Sequence, residues 1–159
     1  MKKCLDIPSF EKIFYTGPID RFFEFKHSLI EKLEYRSINF VSETINKEFF
    51  QENSVINYPG MEVDYTRIIE YKHFGNQLSK KTTIVKEYTT DEGEPYYPVL
   101  NTKNQEIYKK YKEEAAKHPN IHFVGRLANY KYFNMDQAFK NALDLFKTLQ
   151  KKSVPQHAE

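Results

Sequence analysis

The sequence predicts an α+β fold: a mostly antiparallel β-sheet, a few covering helices and a C-terminal amphipathic helix. Three observations lead there. Successive stretches dense in Tyr, Ile, Val, Phe and Thr follow one another through short turn-forming segments, the pattern of antiparallel pairing. Near the end of the chain, apolar residues recur at helical spacing from Met135 to Leu149. Hydrophobic residues make up 40% of the 159 positions and charged residues 29%, a balance that builds one globular core. A single domain over residues 1–152 is expected, with a frayed tail at 153–159.

The first strand is expected at Lys12-Ile13-Phe14-Tyr15-Thr16, where β-formers run into the turn pair Gly17-Pro18. Ile19, Phe22, Phe23, Lys26, Leu29 and Ile30 then keep helical spacing, with Asp20 in the first turn. Strands are predicted over 33–40, 55–58, 63–74 and 82–89. Pro59-Gly60 makes a hairpin turn between the second and third of these, and Gly75-Asn76 ends the third. After the stretch 91–104, Ile107, Tyr108, Tyr111 and Ala115 share a helical face that Pro119 closes. A short strand over 121–124 leads into Gly125-Arg126. Asn134 is a natural N-cap for the last helix, whose stripe is Met135, Ala138, Phe139, Ala142, Leu143, Phe146 and Leu149.

Composition excludes several functions. The net charge of +2 comes from 24 basic and 22 acidic residues spread along the chain, so no nucleic-acid-binding face is implied. No run approaches a membrane span, and the basic Met-Lys-Lys start is interrupted at once by Asp6, Pro8, Ser9 and Glu11. Cys4 is the single cysteine and has no internal disulfide partner, which fits a reducing, cytoplasmic compartment. The five glycines, Gly17, Gly60, Gly75, Gly93 and Gly125, form neither a G-x-G-x-x-G turn nor a P-loop. No metal site is expected: His118 and His122 flank Pro119, which breaks the helix that would align them, and surface roles are expected for both.

Twelve Tyr and 13 Phe with no Trp are the unusual feature, since each buried phenol needs a hydrogen-bond partner. Three segments join Tyr to Arg or Lys. In the first, 65–74, a strand would put Tyr65, Arg67, Ile69 and Tyr71 on one face, and the Arg fork suits phosphate oxygens. The second is Pro95-Tyr96-Tyr97-Pro98, whose prolines stiffen a pair of phenols. The third, 125–137, carries Arg126, Tyr130, Lys131 and Tyr132 from a strand to a helix N-terminus, where anions bind well. Each also has an ordinary structural explanation: cross-strand pairing, a packed loop, and capping of nearby carbonyls. Together they outline an anion-binding surface without naming the anion.

Four segments in order carry a resemblance. They are 15–20 with Leu33-Glu34-Tyr35-Arg36-Ser37, 65–70 with Lys72-His73-Phe74, Pro95-Tyr96-Tyr97-Pro98, and Gly125-Arg126-Leu127 through Met135-Asp136-Gln137. From about Phe10 to Leu149 the chain resembles the C-terminal half of bacterial UDP-galactopyranose mutases, flavoenzymes of galactofuranose biosynthesis that feed cell-surface polysaccharide. The resemblance implies an isomerase in which reduced FAD attacks the anomeric carbon of UDP-galactose, UDP leaves, and the sugar recloses in the other ring size. It implies Arg67 as the catalytic, charge-stabilising residue beside the diphosphate. Tyr96, Tyr132 and Asn134 would bind substrate, and Gly125, Arg126, Tyr132 and Met135 the flavin.

The chain also departs from that family. These residues hold no dinucleotide-binding motif, nor the helical region that binds the uridine. Asn134 stands where the family is expected to carry an acidic residue, and 27–32 is longer than the family's short turn. The resemblance therefore implies a C-terminal portion, inactive until an N-terminal mutase fragment supplies the FAD cradle, in the same chain or in trans. The alternative is a non-catalytic remnant or interaction module that keeps the fold.

Overall fold

The computed structural model describes residues 10–24, 30–75 and 77–153. Cys4, Lys26, Leu29, Asn76 and all of the expected 153–159 tail except Ser153 lie outside the described residues. The chain divides into two compact units, the first formed by 1–35 with 97–159 and the second by 36–96. It contains both helices and mostly antiparallel strands, as the sequence predicts. Among the described residues no helix is long and apolar enough to cross a membrane.

In the first unit, β1 (Ile13–Tyr15) pairs with β7 (Ile121–Phe123), and the pairing is parallel. Between them in sequence come α1 (Ile19–Phe22), the two-residue β6 (Tyr97–Pro98) and α2 (Thr102–Ala115). The helix expected to run to Ile30 turns out of helical geometry at Phe23. α2 begins before Asn104, because the Asn101 side chain accepts the Asn104 N–H at 2.8 Å and caps the first turn. α3 (Met135–Ser153) is the long final helix. Ile19, Phe22, Phe23, Leu33, Ile107, Tyr111, Ile121 and Tyr130 form the core.

Aromatic rings interlock in that core. Phe22 meets Phe123 edge-on at 5.1 Å, Tyr15 meets Phe22 at 4.9 Å, and Phe23 stacks on Tyr111 at 6.2 Å. His118 packs its ring against Phe23, and His122 packs against Phe14; both are half-buried rather than on the surface as expected. Gly17 is held small by a close approach: a Cβ there would lie 2.7 Å from the Tyr15 hydroxyl. Buried Asp20 accepts the Tyr35 hydroxyl at 2.9 Å and the Leu33 N–H at 3.3 Å. Burial and the neighbouring Asp20 charge push the Tyr35 phenol far above its ordinary pKa, so it stays a donor.

The second unit is an antiparallel sheet in the order β3-β4-β5-β2, with β2 (Tyr35–Ile45), β3 (Val55–Asn57), β4 (Arg67–Glu70) and β5 (Thr82–Thr90). The β3–β4 hairpin is wider than a tight Pro-Gly turn: pairing ends at Tyr58, whose N–H donates to Thr66 O at 2.9 Å. The strand expected over 63–74 is only Arg67–Glu70, followed by a 3-10 turn at Tyr71–Phe74. Tyr65 and Tyr71 therefore fall outside it and do not share a strand face with Arg67.

Polar groups cause that change. Lys72 turns inward, donates to Glu48 O at 2.7 Å and Ser79 O at 2.5 Å, and lies over the Phe49 ring. Glu70, fully buried, accepts from the N–H groups of Phe50 and Gln51 at 3.0 Å each, from Thr82 Oγ1 at 2.6 Å, and contacts His73 Nε2 at 3.2 Å. Burial alone would raise the Glu70 pKa, but the donors and the His73 charge outweigh it and hold it below the ordinary 4.5. Glu70 ties the 48–54 segment to β4 and β5.

A depressed carboxylate pKa adds stability above its unfolded value, lost as pH falls through the folded pKa. Glu70→Gln is expected to cost about 3 kcal/mol near neutral pH. Denaturant unfolding of the wild type should weaken below about pH 4.5 more steeply than that of the variant; parallel profiles would show that Glu70 is not the anchor.

Candidate functional site

The candidate residues fall into two groups, one in each unit. In the second unit, Arg67 stands on β4 opposite Asn57 of β3 and Glu87 of β5. Its Nε donates to Asn57 Oδ1 at 2.9 Å, and its Nη1 lies 3.6 Å from Glu87 Oε2. The side chain remains 40% exposed, so the guanidinium is oriented by two neighbours while part of its fork faces water. Tyr96 packs edge-on against Phe40 at 5.7 Å, and its N–H donates to Arg36 O at 3.0 Å. Tyr65 meets Tyr58 at 5.0 Å and Tyr88 at 6.0 Å, with the Lys86 ammonium 5.6 Å from its ring.

In the first unit, the loop from Gly125 to Asn134 joins β7 to α3. Gly125 has φ +95°, a left-handed backbone that suits glycine. Its N–H donates to Asn141 Oδ1 of α3 at 2.9 Å, and its carbonyl accepts from Asn129 Nδ2 at 3.1 Å and Asn129 N at 3.0 Å. Tyr130 also has a left-handed backbone, φ 46°, unusual for a bulky residue. The ring is fully buried, and the hydroxyl donates to Glu34 O at 2.6 Å and lies 3.1 Å from Val99 O. Tyr108 stacks on it at 5.8 Å and Tyr35 meets it edge-on at 5.4 Å. Burial pushes its pKa up to about 12, so the phenol remains protonated.

With Tyr130 pinned, Arg126 and Tyr132 come together. The Arg126 guanidinium lies 5.2 Å from the ring centres of both Tyr132 and Tyr97. Those two rings stack at 5.6 Å, nearly parallel at 19°. Arg126 Nη2 also donates to Phe133 O. Asn134 and Met135 open α3: Gln137 Oε1 accepts the Asn134 N–H at 2.9 Å, half of a capping box, and the Asn134 carbonyl accepts from Ala138 N at 2.9 Å.

The resemblance implies Tyr96, of the tyrosine pair, as a substrate-binding residue. The structure places Tyr97 with Arg126 and Tyr132, and Tyr96 with Phe40. Tyr130 was missed as the loop's anchor. The available signal was adjacency: neighbouring side chains of an extended segment point to opposite sides, so only one of the pair joins a given cluster.

The residues of the first unit fit the edge of a flavin better than its whole. Arg126 supplies a planar, oriented donor group at the mouth of a helix N-terminus, suited to a ring carbonyl or a phosphate. The Gly125 N–H is already taken by Asn141, so this glycine is no phosphate cradle.

Tyr130→Phe is expected to cost about 1–2 kcal/mol, because the Glu34 and Val99 carbonyls lose a buried donor. Thermal unfolding checks it, and an unchanged midpoint would show the hydroxyl to be idle. Gly125→Ala should cost about 1 kcal/mol through its φ alone, since the new Cβ would meet Thr16 at an ordinary 3.9 Å.

A family model described as UDP-galactopyranose mutase matches residues 2–132. The chain is 37% identical over 135 residues to the UDP-galactopyranose mutase of Mycoplasma genitalium, covering 79% of this chain and 32% of that protein. It is 36% identical over 135 residues to a probable UDP-galactopyranose mutase of Klebsiella pneumoniae, covering 82% and 34%. With the dTDP-fucopyranose mutase of Escherichia coli it shares 33% identity over 136 residues, covering 83% and 35%. The chain thus spans about a third of the length of these relatives. Its fold is similar to a crystal structure of reduced UDP-galactopyranose mutase, with a TM-score of 0.71 over 93% of this chain and 42% of that one, at 12% identity. The sequence resemblance and the match over most of its length agree: the chain belongs to the UDP-galactopyranose mutase family.

Proposed function

We propose that this chain is the C-terminal part of a mutase that interconverts UDP-galactopyranose and UDP-galactofuranose, and that it turns over only when the remainder of the fold supplies the flavin cradle. The observation that carries the proposal is the Arg126–Tyr97–Tyr132 stack on a pinned loop at the start of α3. The reaction exchanges the ring oxygen of galactose between O5 and O4 with no net redox change. It needs the anomeric C–O bond to UDP to break and re-form. A reduced flavin bound there supplies a nucleophile.

This chain's residues handle charge and position. Arg67, oriented by Asn57 and Glu87, stabilises the negative charge that grows on the diphosphate as it leaves. Tyr132, held flat by Tyr97 and Arg126, donates its hydroxyl to a diphosphate oxygen. Arg126, with Met135 at the start of α3, meets the cofactor's edge, and Gly125 shapes the loop that carries them. Tyr97 joins this group on its geometry, and Tyr96, exposed beside Phe40, keeps its role as a hydrogen-bond donor to the diphosphate. None of these residues reads a base, so a dTDP-sugar is bound by the same contacts as a UDP-sugar. A non-catalytic remnant is the rival, favoured by Asn134 at a position expected to be acidic.

The test replaces the corresponding third of the Klebsiella pneumoniae relative with this chain and follows UDP-galactopyranose conversion by chromatography. The chain alone is expected to purify without flavin absorbance, and the chimera with it. Arg67→Ala in the chimera should lower kcat by about 100-fold or more, and Tyr132→Phe should raise KM by about tenfold. A folded, flavin-loaded chimera without turnover would favour the remnant, and turnover of dTDP-fucose alone would reassign the substrate.

A further inference from the structure

We propose that a pocket at the Thr82 end of β5 binds a phosphate group, free or as the monoester of a small molecule, through Lys72, Lys81, Ser79 and the Thr44–Thr83 hydroxyl pair. Lys72-His73-Phe74 is among the motifs that carry the family resemblance, yet the reaction proposed above gives Lys72 no task. The inference goes beyond that reaction and does not depend on it.

The pocket has a volume of about 290 Å³ and lies wholly within the second unit. A water takes up about 30 Å³ in the liquid, so the space accepts a phosphate with several further atoms. It sits where β2 and β5 end: Thr44 faces Thr83 in the ladder, and Ile45 faces Thr82. Arg67 faces Glu87, five residues further along β5. That separation is about 17 Å at the rise of an extended strand, so the pocket is distinct from the diphosphate contact proposed for Arg67.

The groups that line it are donors. Lys72 is only 6% exposed. Its ammonium carries three N–H donors; Glu48 O and Ser79 O take two, and the Phe49 ring centre lies 4.6 Å away. Among the described residues no carboxylate pairs with it, so a nearly buried positive charge is met only by neutral groups. Lys81 adds a second, exposed ammonium that has no acidic partner among the described residues. Ser79 Oγ accepts the Lys81 N–H at 3.1 Å, which leaves its own O–H to give. Thr44 Oγ1 and Thr83 Oγ1 lie 3.1 Å apart; only one can donate to the other, so one O–H remains.

No carboxylate is among the described residues lining the pocket. The nearby Glu70, which accepts from Thr82 Oγ1, is already surrounded by its own donors. Two ammonium groups and free hydroxyls without an acid suit the acceptor oxygens of phosphate. A stapling role for Lys72 explains its two carbonyl bonds but leaves the second ammonium and the open space without a use.

The test follows NMR amide signals of the full ¹⁵N-labelled chain as inorganic phosphate is added at constant ionic strength. Saturable shifts are expected at 72 and 79–83, with half-saturation near about 1 mM, and none with sodium chloride. Lys81→Ala, on an exposed side chain, should weaken the response about tenfold with the rest of the spectrum unchanged. Lys72→Met should abolish it, with circular dichroism reporting whether that variant folds. The response should persist in Arg67→Ala, so failure of the mutase reading leaves this pocket untouched. Tighter binding of glycerol phosphate than of phosphate assigns a monoester, and equal affinity assigns the free ion. No shift at these residues well above that concentration, equal shifts with chloride, or a Lys81→Ala chain that binds as wild type does would each overturn the proposal.

Discussion

The arrangement of the first unit's candidate residues depends on Tyr130. A bulky residue at φ 46° holds the backbone in a conformation that costs about 1–3 kcal/mol. It persists because the side chain is over-determined. The ring is buried between Tyr108 and Tyr35, and the hydroxyl reaches two carbonyls on separate segments, Glu34 and Val99. The same tyrosine therefore fastens the 125–134 loop to Glu34 and to Val99, just after Tyr97. Tyr97 and Tyr132 are brought face to face by that fastening, and Arg126 settles against both rings. The order of cause runs from a strained backbone residue, through its hydrogen bonds, to an oriented cation.

Arg67 is held differently. Its partners are cross-strand neighbours on a half-exposed sheet, and an ion pair at 3.6 Å in such surroundings contributes under about 1 kcal/mol. The pair orients the guanidinium without saturating it. In the proposed site a diphosphate, with two negative groups and several acceptor oxygens, would offer Arg67 more than the single Glu87 carboxylate does. Glu70, three residues on, shows the opposite regime. Fully buried and bonded to Thr82 and two backbone N–H groups, it serves the architecture and has no capacity left for a ligand. Burial separates the two roles.

Much of this was legible in the sequence because it follows from local pattern. Composition and turn residues located the strands of the second unit, and helical spacing located the start of α3. What escaped depends on contacts distant in sequence. The parallel pairing of β1 with β7 joins Ile13 to Ile121, and no local signal distinguishes it from an antiparallel edge. The stretch 63–74 has strand composition throughout, yet Lys72 finds two carbonyls and an aromatic ring by turning inward, and those contacts override β propensity. Tyr96 and Tyr97 are indistinguishable by type. Only the three-dimensional path sends one to Phe40 and the other to Tyr132. The family resemblance rests on the order of motifs and agrees with the membership, while which tyrosine stacks on Tyr132 required geometry.

The spacing predicts one apolar stripe on α3, and the structure resolves it into two rows with different fates. Only the row at Ala138, Leu145 and Leu149 is half-covered, while Met135, Phe139 and Phe146 face solvent. Water is the costly neighbour for such a row, and the gain from covering it grows with the apolar area removed. Covering it also has a chemical consequence, because the row starts where the loop ends. Excluding water beside Tyr132 and Arg126 lowers the local dielectric and strengthens every charge interaction they make with a bound anion. Tyr130 holds Arg126 and Tyr132 in their orientation without help from any ligand, so the cost of ordering them is met by folding rather than by binding.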